Sequence, residues 1–205
     1  MNKLIASVLI AATAMLSGFA VAQSEPGLDR TRPVVARAKP GRPLRAGPAA
    51  APEALLARYL RSRGTSEQVI AALRTQSRES GAGGVTHLRL SQQVDGLEVY
   101  GAYVRAAVDS RGVVMHVIDG SAPVSRPLAS RINARQAVSA VLRQLYPSVP
   151  ASLGRARVQG GTTSFYAGPF FHGEPSATAV VLHLENGQLA RGWLVETWTH
   201  RPNQL

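Results

Sequence analysis

Between residues 86 and 120 the sequence THLRLSQQVDGLEVYGAYVRAAVDSRGVVMHVIDG leaves the backbone little choice. Leu88, Leu90 and Val94 alternate with His87, Arg89, Ser91 and Gln93, the two-residue period of a strand buried on one face. Asp95-Gly96 supplies the positive φ of a two-residue hairpin turn, and Gly112 does the same for the longer Ser110-Arg111-Gly112 loop. Three β-rich runs joined by two short turns predict an antiparallel meander. Its apolar face must pack on something else, and helices are the expected cover.

The glycines of this stretch recur with a Gln and a Val-Asp at fixed intervals: Gln92, Gly96, Val99, Gly101, Val108-Asp109 and Gly112. In that spacing the segment resembles the fungalysin/thermolysin propeptide module, whose pattern is a Gln, a Gly four residues on, an apolar-x-Gly, and a Val-Asp before a Gly turn. The resemblance implies a secreted module that lies upstream of a zinc peptidase, assists its folding and blocks its cleft until removed. None of these residues is a catalytic type, and the glycines are expected to serve the turns.

The flanks supply helices. Pro52-Glu53 opens a helix with an apolar stripe of Leu55, Leu56, Tyr59 and Leu60 and a stop at Gly64. A second helix, capped by Thr65 or Ser66 and burying Val69, Ile70 and Leu73, is expected to end before a breaker at residues 77–84. After a Pro-containing connector at residues 121–130, Asn133 is placed to cap a helix over 134–146. Its stripe is Ala137, Val138, Val141, Leu142 and Leu145. Short strands are expected at 156–159 and 164–166, then a hairpin whose arms, 177–185 and 188–199, flank Asn186-Gly187. This helix with its hairpin, ending GQLARGWLVETWTHRP, resembles the PepSY-like second half of the same pro-regions. There the segment usually precedes a further strand, which the sequence does not reach before Leu205, so the second sheet is expected to lack its closing strand. The open edge would invite another chain.

The N-terminus has Lys3, an apolar run over 4–19 and Ala20-Val21-Ala22 before Gln23. A short positive region, an apolar core and an A-x-A site read as a secretory signal peptide over residues 1–22, with a retained membrane anchor as the alternative. Either way the rest of the chain is expected in the periplasm or outside the cell, and not embedded in the membrane after signal cleavage. Residues 23–52, rich in Pro, Arg, Ala and Gly without a hydrophobic period, read as a disordered linker. There is no cysteine, so neither disulfides, thiol nucleophiles nor thiolate zinc sites are available. The roughly 150 residues that remain bury about two thirds of their unfolded surface.

The formal net charge is +11, almost all of it arginine, since Lys3 and Lys39 are the only lysines. Five arginines and Lys39 against Glu25 and Asp29 leave +4 in residues 23–52, and 16 arginines against 10 acids leave +6 from Glu53 onward. The excess is spread out and is not interleaved with stacking aromatics, which argues against nucleic acid. Docking on an acidic enzyme surface suits it better.

A peptidase of the resembled kind needs H-E-x-x-H on a helix, so that two imidazoles share one metal and the Glu activates water. None of His87, His116, His172, His183 and His200 is followed by Glu or by a second His four residues on. His172-Gly173-Glu174 matches the deaminase H-x-E fragment without its cysteines. No nucleophile elbow, Walker loop or dinucleotide fingerprint occurs, and no catalytic residue, metal or cofactor is assigned. Asp109, Asp119, Glu185 and Glu196 have no visible pairing in the sequence and are expected at solvated positions. The late aromatics Phe165, Tyr166, Phe170, Phe171, Trp193 and Trp198 are expected to fill the second half, with Trp193 and Trp198 as a candidate partner surface.

The expectation is therefore α+β: residues 53–130 a helical lead-in and meander, residues 131–205 a helix with an antiparallel sheet. The expected function is that of a non-catalytic pro-region, chaperone and inhibitor of a secreted zinc metallopeptidase, as part of a longer precursor or in trans. The alternative is a stand-alone periplasmic or secreted binding module that has lost the protease.

Overall fold

A computed structural model describes residues 28, 33–39, 42–44, 50–149 and 152–200. The expected signal peptide lies outside them. The described residues divide into two compact units, one drawn from 28–126 with 183–189, the other from 127–182 with 190–200. The architecture is α+β with strands predominating.

In the first unit, β1 (Val34–Arg37) is followed by α1 (Pro52–Ser62), α2 (Glu67–Ala72), β2 (Leu73–Ser80), β3 (Thr86–Val94), β4 (Leu97–Val108) and β5 (Val114–Gly120). The strands lie in the order β1-β5-β4-β3-β2, each pair antiparallel. The three runs predicted over 86–120 are β3 to β5, joined where the turn residues stand: Asp95 (φ 52°) and Gly96 (φ 76°) both take positive φ, as a type I′ turn requires. Pro52 begins α1, and Thr65 and Gly64 close it by donating to the Leu60 and Arg61 carbonyls at 3.1 and 3.0 Å, the paired bonds of a Schellman end. Leu55, Leu56, Tyr59 and Leu60 of α1 pack on Leu88, Leu90, Val104, Ala106, Val108, Val114 and Val117. One face of the sheet is thereby covered by helix.

Two elements depart from the sequence reading. Ser66 caps α2 through the Val69 N–H, but the helix ends at Ala72. Residues 73–80, which take in the first four of the expected breaker at 77–84, form β2, paired antiparallel with β3 across one bulge. Within the segment read as a disordered linker, Val34–Arg37 pairs with β5, and Ala38 and Leu44 donate to the Met115 and Val114 carbonyls. Both β1 and β2 are edge strands that satisfy the open N–H and C=O groups of a neighbour. Neither needs an apolar period of its own to be useful there.

The second unit contains α3 (Ala134–Leu145), β6 (Ala156–Gln159), β7 (Thr162–Phe165), most of β8 (Phe171–His183) and β9 (Leu189–Thr199). Strand pairing runs β6-β7-β8-β9. Asn133 caps α3 in a full capping box with Gln136. Ala137, Val138, Val141 and Leu142 of α3 pack against Phe165, Phe171, Ala177 and Val195. Asn186-Gly187 turns the chain between β8 and β9, with Gly187 at φ 78°. Among the described residues no helix is long and apolar enough to cross a membrane.

Candidate functional site

Of the six motif residues of the first unit, five act on backbone geometry and Val99 packs in the interior. Gln92 is fully buried, and its side-chain amide pairs with the backbone of Ala122: Nε2 donates to the carbonyl and Oε1 accepts from the N–H, both at 2.8 Å. A side chain thus does what a strand would do, holding the chain as it leaves β5. The ladder makes room for this. Leu73 of β2 faces Gln92 on one side, while on the other the β3–β4 register passes from Ser91↔Tyr103 to Gln93↔Glu98, so residues 99–102 bulge past one residue. Gly101, at φ 75° and with open space where a Cβ would stand, supplies the left-handed turn of that bulge. Val99 beside it is fully buried.

Asp109 organises the β4–β5 loop. One carboxylate oxygen accepts from the N–H groups of Arg111 and Val113, each at 2.9 Å, and the other from Arg111 Nε at 3.0 Å. Burial raises its pKa, but the Val113 and Arg111 bonds outweigh that and hold the carboxyl below its usual range. Its side chain is only 9% exposed, against the expectation of a solvated surface acid, because the loop wraps it. Asp119 likewise turns inward on its own chain, accepting from the N–H and hydroxyl of Ser121. Gly112, at φ 80°, completes the Asp109 loop with a 3.0 Å bond to the Asp109 carbonyl.

The two tryptophans point to opposite faces of β9 and so form no single surface. Trp193 faces α3 with Val195 and Thr197, donating from Nε1 to the Ile132 carbonyl at 2.9 Å, while Thr197 meets the Tyr146 hydroxyl. Trp198 is 36% exposed on the other face. Its ring stands edge-on to His172 with centroids 4.5 Å apart, and His200 flanks His172 at 5.1 Å. His87 and His116 lie far apart in sequence but share the outer face of the first sheet, on either side of Ala107. The sequence drew no attention to that face, because its residues come from five strands. Among the described residues no three His, Asp or Glu side chains are grouped to hold a metal ion.

Residues 71–119 match the Fungalysin/Thermolysin Propeptide Motif. The matched span takes in β2 to β5 almost completely, so the propeptide motif corresponds to a four-stranded antiparallel sheet and includes the strand that the resemblance over 86–120 left out. All six motif residues fall inside it. The matching family is a propeptide family, and the six residues singled out from the sequence serve here as turn, bulge, clamp and core positions. No curated protein matches the chain.

Proposed function

We propose that this chain is a non-catalytic pro-region of a secreted fungalysin- or thermolysin-type zinc metallopeptidase, acting on the catalytic domain as intramolecular chaperone and inhibitor, in a precursor or in trans. The observation that carries this reading is the match of residues 71–119 to the propeptide motif, within which Gln92 and Asp109 spend their side chains on backbone groups. A pro-region has to present a rigid surface and perform no chemistry of its own. In this reading residues 1–22 direct export and are removed, residues 53–130 form the propeptide module, and residues 131–205 form a PepSY-like companion. No metal or cofactor is needed.

Mixing the purified chain in excess with a thermolysin-like enzyme tests the proposal. Slower hydrolysis of a peptide substrate, or a higher yield of active enzyme on refolding, is the expected result. Unchanged proteolysis and unchanged refolding yield at micromolar excess would overturn it. The exposed Trp198 beside His172 favours a second reading, a stand-alone binding module of the periplasm or cell exterior. That module would leave the enzyme untouched in the same assay.

A further inference from the structure

The helices cover one face of the β1–β5 sheet, and the other carries arginines and histidines in two cross-strand rows. Arg89 stands directly across from Arg105, and Arg105 from Ile118, which faces Val35. In the next row Glu79 faces His87, His87 faces Ala107, Ala107 faces His116 and His116 faces Arg37. Arg37, Arg89, Arg105 and His87 are exposed. A groove of about 420 Å³ runs over this face between Ser77, Arg89, Arg105, His116 and Ile118.

Two features mark the face as incomplete. Like charges placed directly opposite one another weaken a ladder; yet among the described residues neither Arg89 nor Arg105 has an ion pair, the arginines so paired being Arg61, Arg78, Arg111 and Arg157. His116 Nε2 is shielded from solvent and has no hydrogen-bond partner among the described residues. Opposite residues of an antiparallel pair hold their Cβ atoms about 5 Å apart, so both guanidinium forks can close on one carboxylate, the arrangement that gives bidentate, charge-assisted bonds.

We propose that this face docks an aspartate- or glutamate-rich segment of a protein partner, with Arg89 and Arg105 as its carboxylate clamp. Charge complementarity sets the sign of the partner, since in the two rows named above Arg37, Arg89 and Arg105 stand with one carboxylate, that of Glu79. The apolar Val35, Ala107 and Ile118 in the same rows suit a protein surface. Nucleic acid would want free rings for stacking, and Tyr103 already has the Arg105 guanidinium 5.1 Å over it. The inference rests on the pro-region reading for the identity of the partner, and on the sheet face alone for its chemistry.

Fluorescence anisotropy of a labelled hexaglutamate peptide with the full chain at low ionic strength is the test. The peptide is expected to bind, about tenfold more weakly to Arg89→Gln and to Arg105→Gln, the loss of one charge-assisted contact. Arg143→Gln, an exposed change on α3, should leave binding unaltered, and Arg89→Lys should bind in between because it keeps the charge without the fork. Absence of binding, or an equal loss in Arg143→Gln, overturns the clamp. So does tighter capture of heparin or of phosphatidylglycerol vesicles through the same two arginines, which would mark a general polyanion surface. A chain that binds hexaglutamate through Arg89 and Arg105 but leaves a thermolysin-like enzyme unaffected sinks the pro-region reading alone. One whose inhibition survives both glutamine changes sinks the face alone.

Discussion

Gln92 spends both halves of its amide on one backbone residue, Ala122, in a place where water does not reach. Truncation to alanine would leave a buried N–H and a buried carbonyl without partners, each costing about 1–3 kcal/mol. Gln92→Ala is therefore expected to lower unfolding free energy by roughly 2–4 kcal/mol, read from urea melts; a loss under about 0.5 kcal/mol, the size of an ordinary surface change, would show that the clamp is dispensable. Asp109 makes a different prediction because its loop bonds favour the carboxylate over burial. With the folded pKa below the unfolded value of about 3.9, the contribution is complete above that value and is lost as pH falls through the folded pKa. Stability of the native chain should fall over this acid range more steeply than that of Asp109→Asn, which cannot ionise. Parallel pH profiles for the two proteins would contradict the assignment.

At the level of elements, the β3–β4 ladder sets Arg89 against Arg105, so its local energetics and its proposed use pull in opposite directions. Arg89→Thr removes a like-charge pair and introduces a good strand former. Thermal melts should show a gain of up to about 1 kcal/mol alongside the loss of hexaglutamate binding; a destabilised variant would mean that Arg89 supports the sheet itself. The same ladder explains what was legible in advance. β3 to β5 carry a one-sided apolar alternation and turn residues that tolerate positive φ, while α3 announces itself by Asn133, Gln136 and an apolar stripe. β1 and β2 carry no such signal. Val34 and Val35 are exposed, and of β2 only Leu73 and Ser77 are half-buried, so what places these strands is the open edge of a neighbour formed from distant sequence. The candidate site was legible to the same extent. The spacing singled out Gln92 but not Ala122, thirty residues on, and five separate strands hid the basic face altogether.

For the whole molecule, two hydrophobic clusters that share no residue imply that damage to one core is read in that core first. Leu142 is 2% exposed inside the α3 cluster and Leu56 is 1% exposed under the first sheet, and truncating either to alanine should cost about 2–5 kcal/mol. Native-state hydrogen exchange separates the two effects, because amides report the free energy of the smallest opening that exposes them. Leu142→Ala should speed exchange in α3, β8 and β9 while the amides of β3 to β5 keep their protection, and Leu56→Ala should do the reverse. If either substitution accelerates both sets by the same factor, the units unfold together. Joint unfolding would make the two units all-or-none, whereas independent opening would let the motif sheet of residues 71–119 stay folded while the other unit yields.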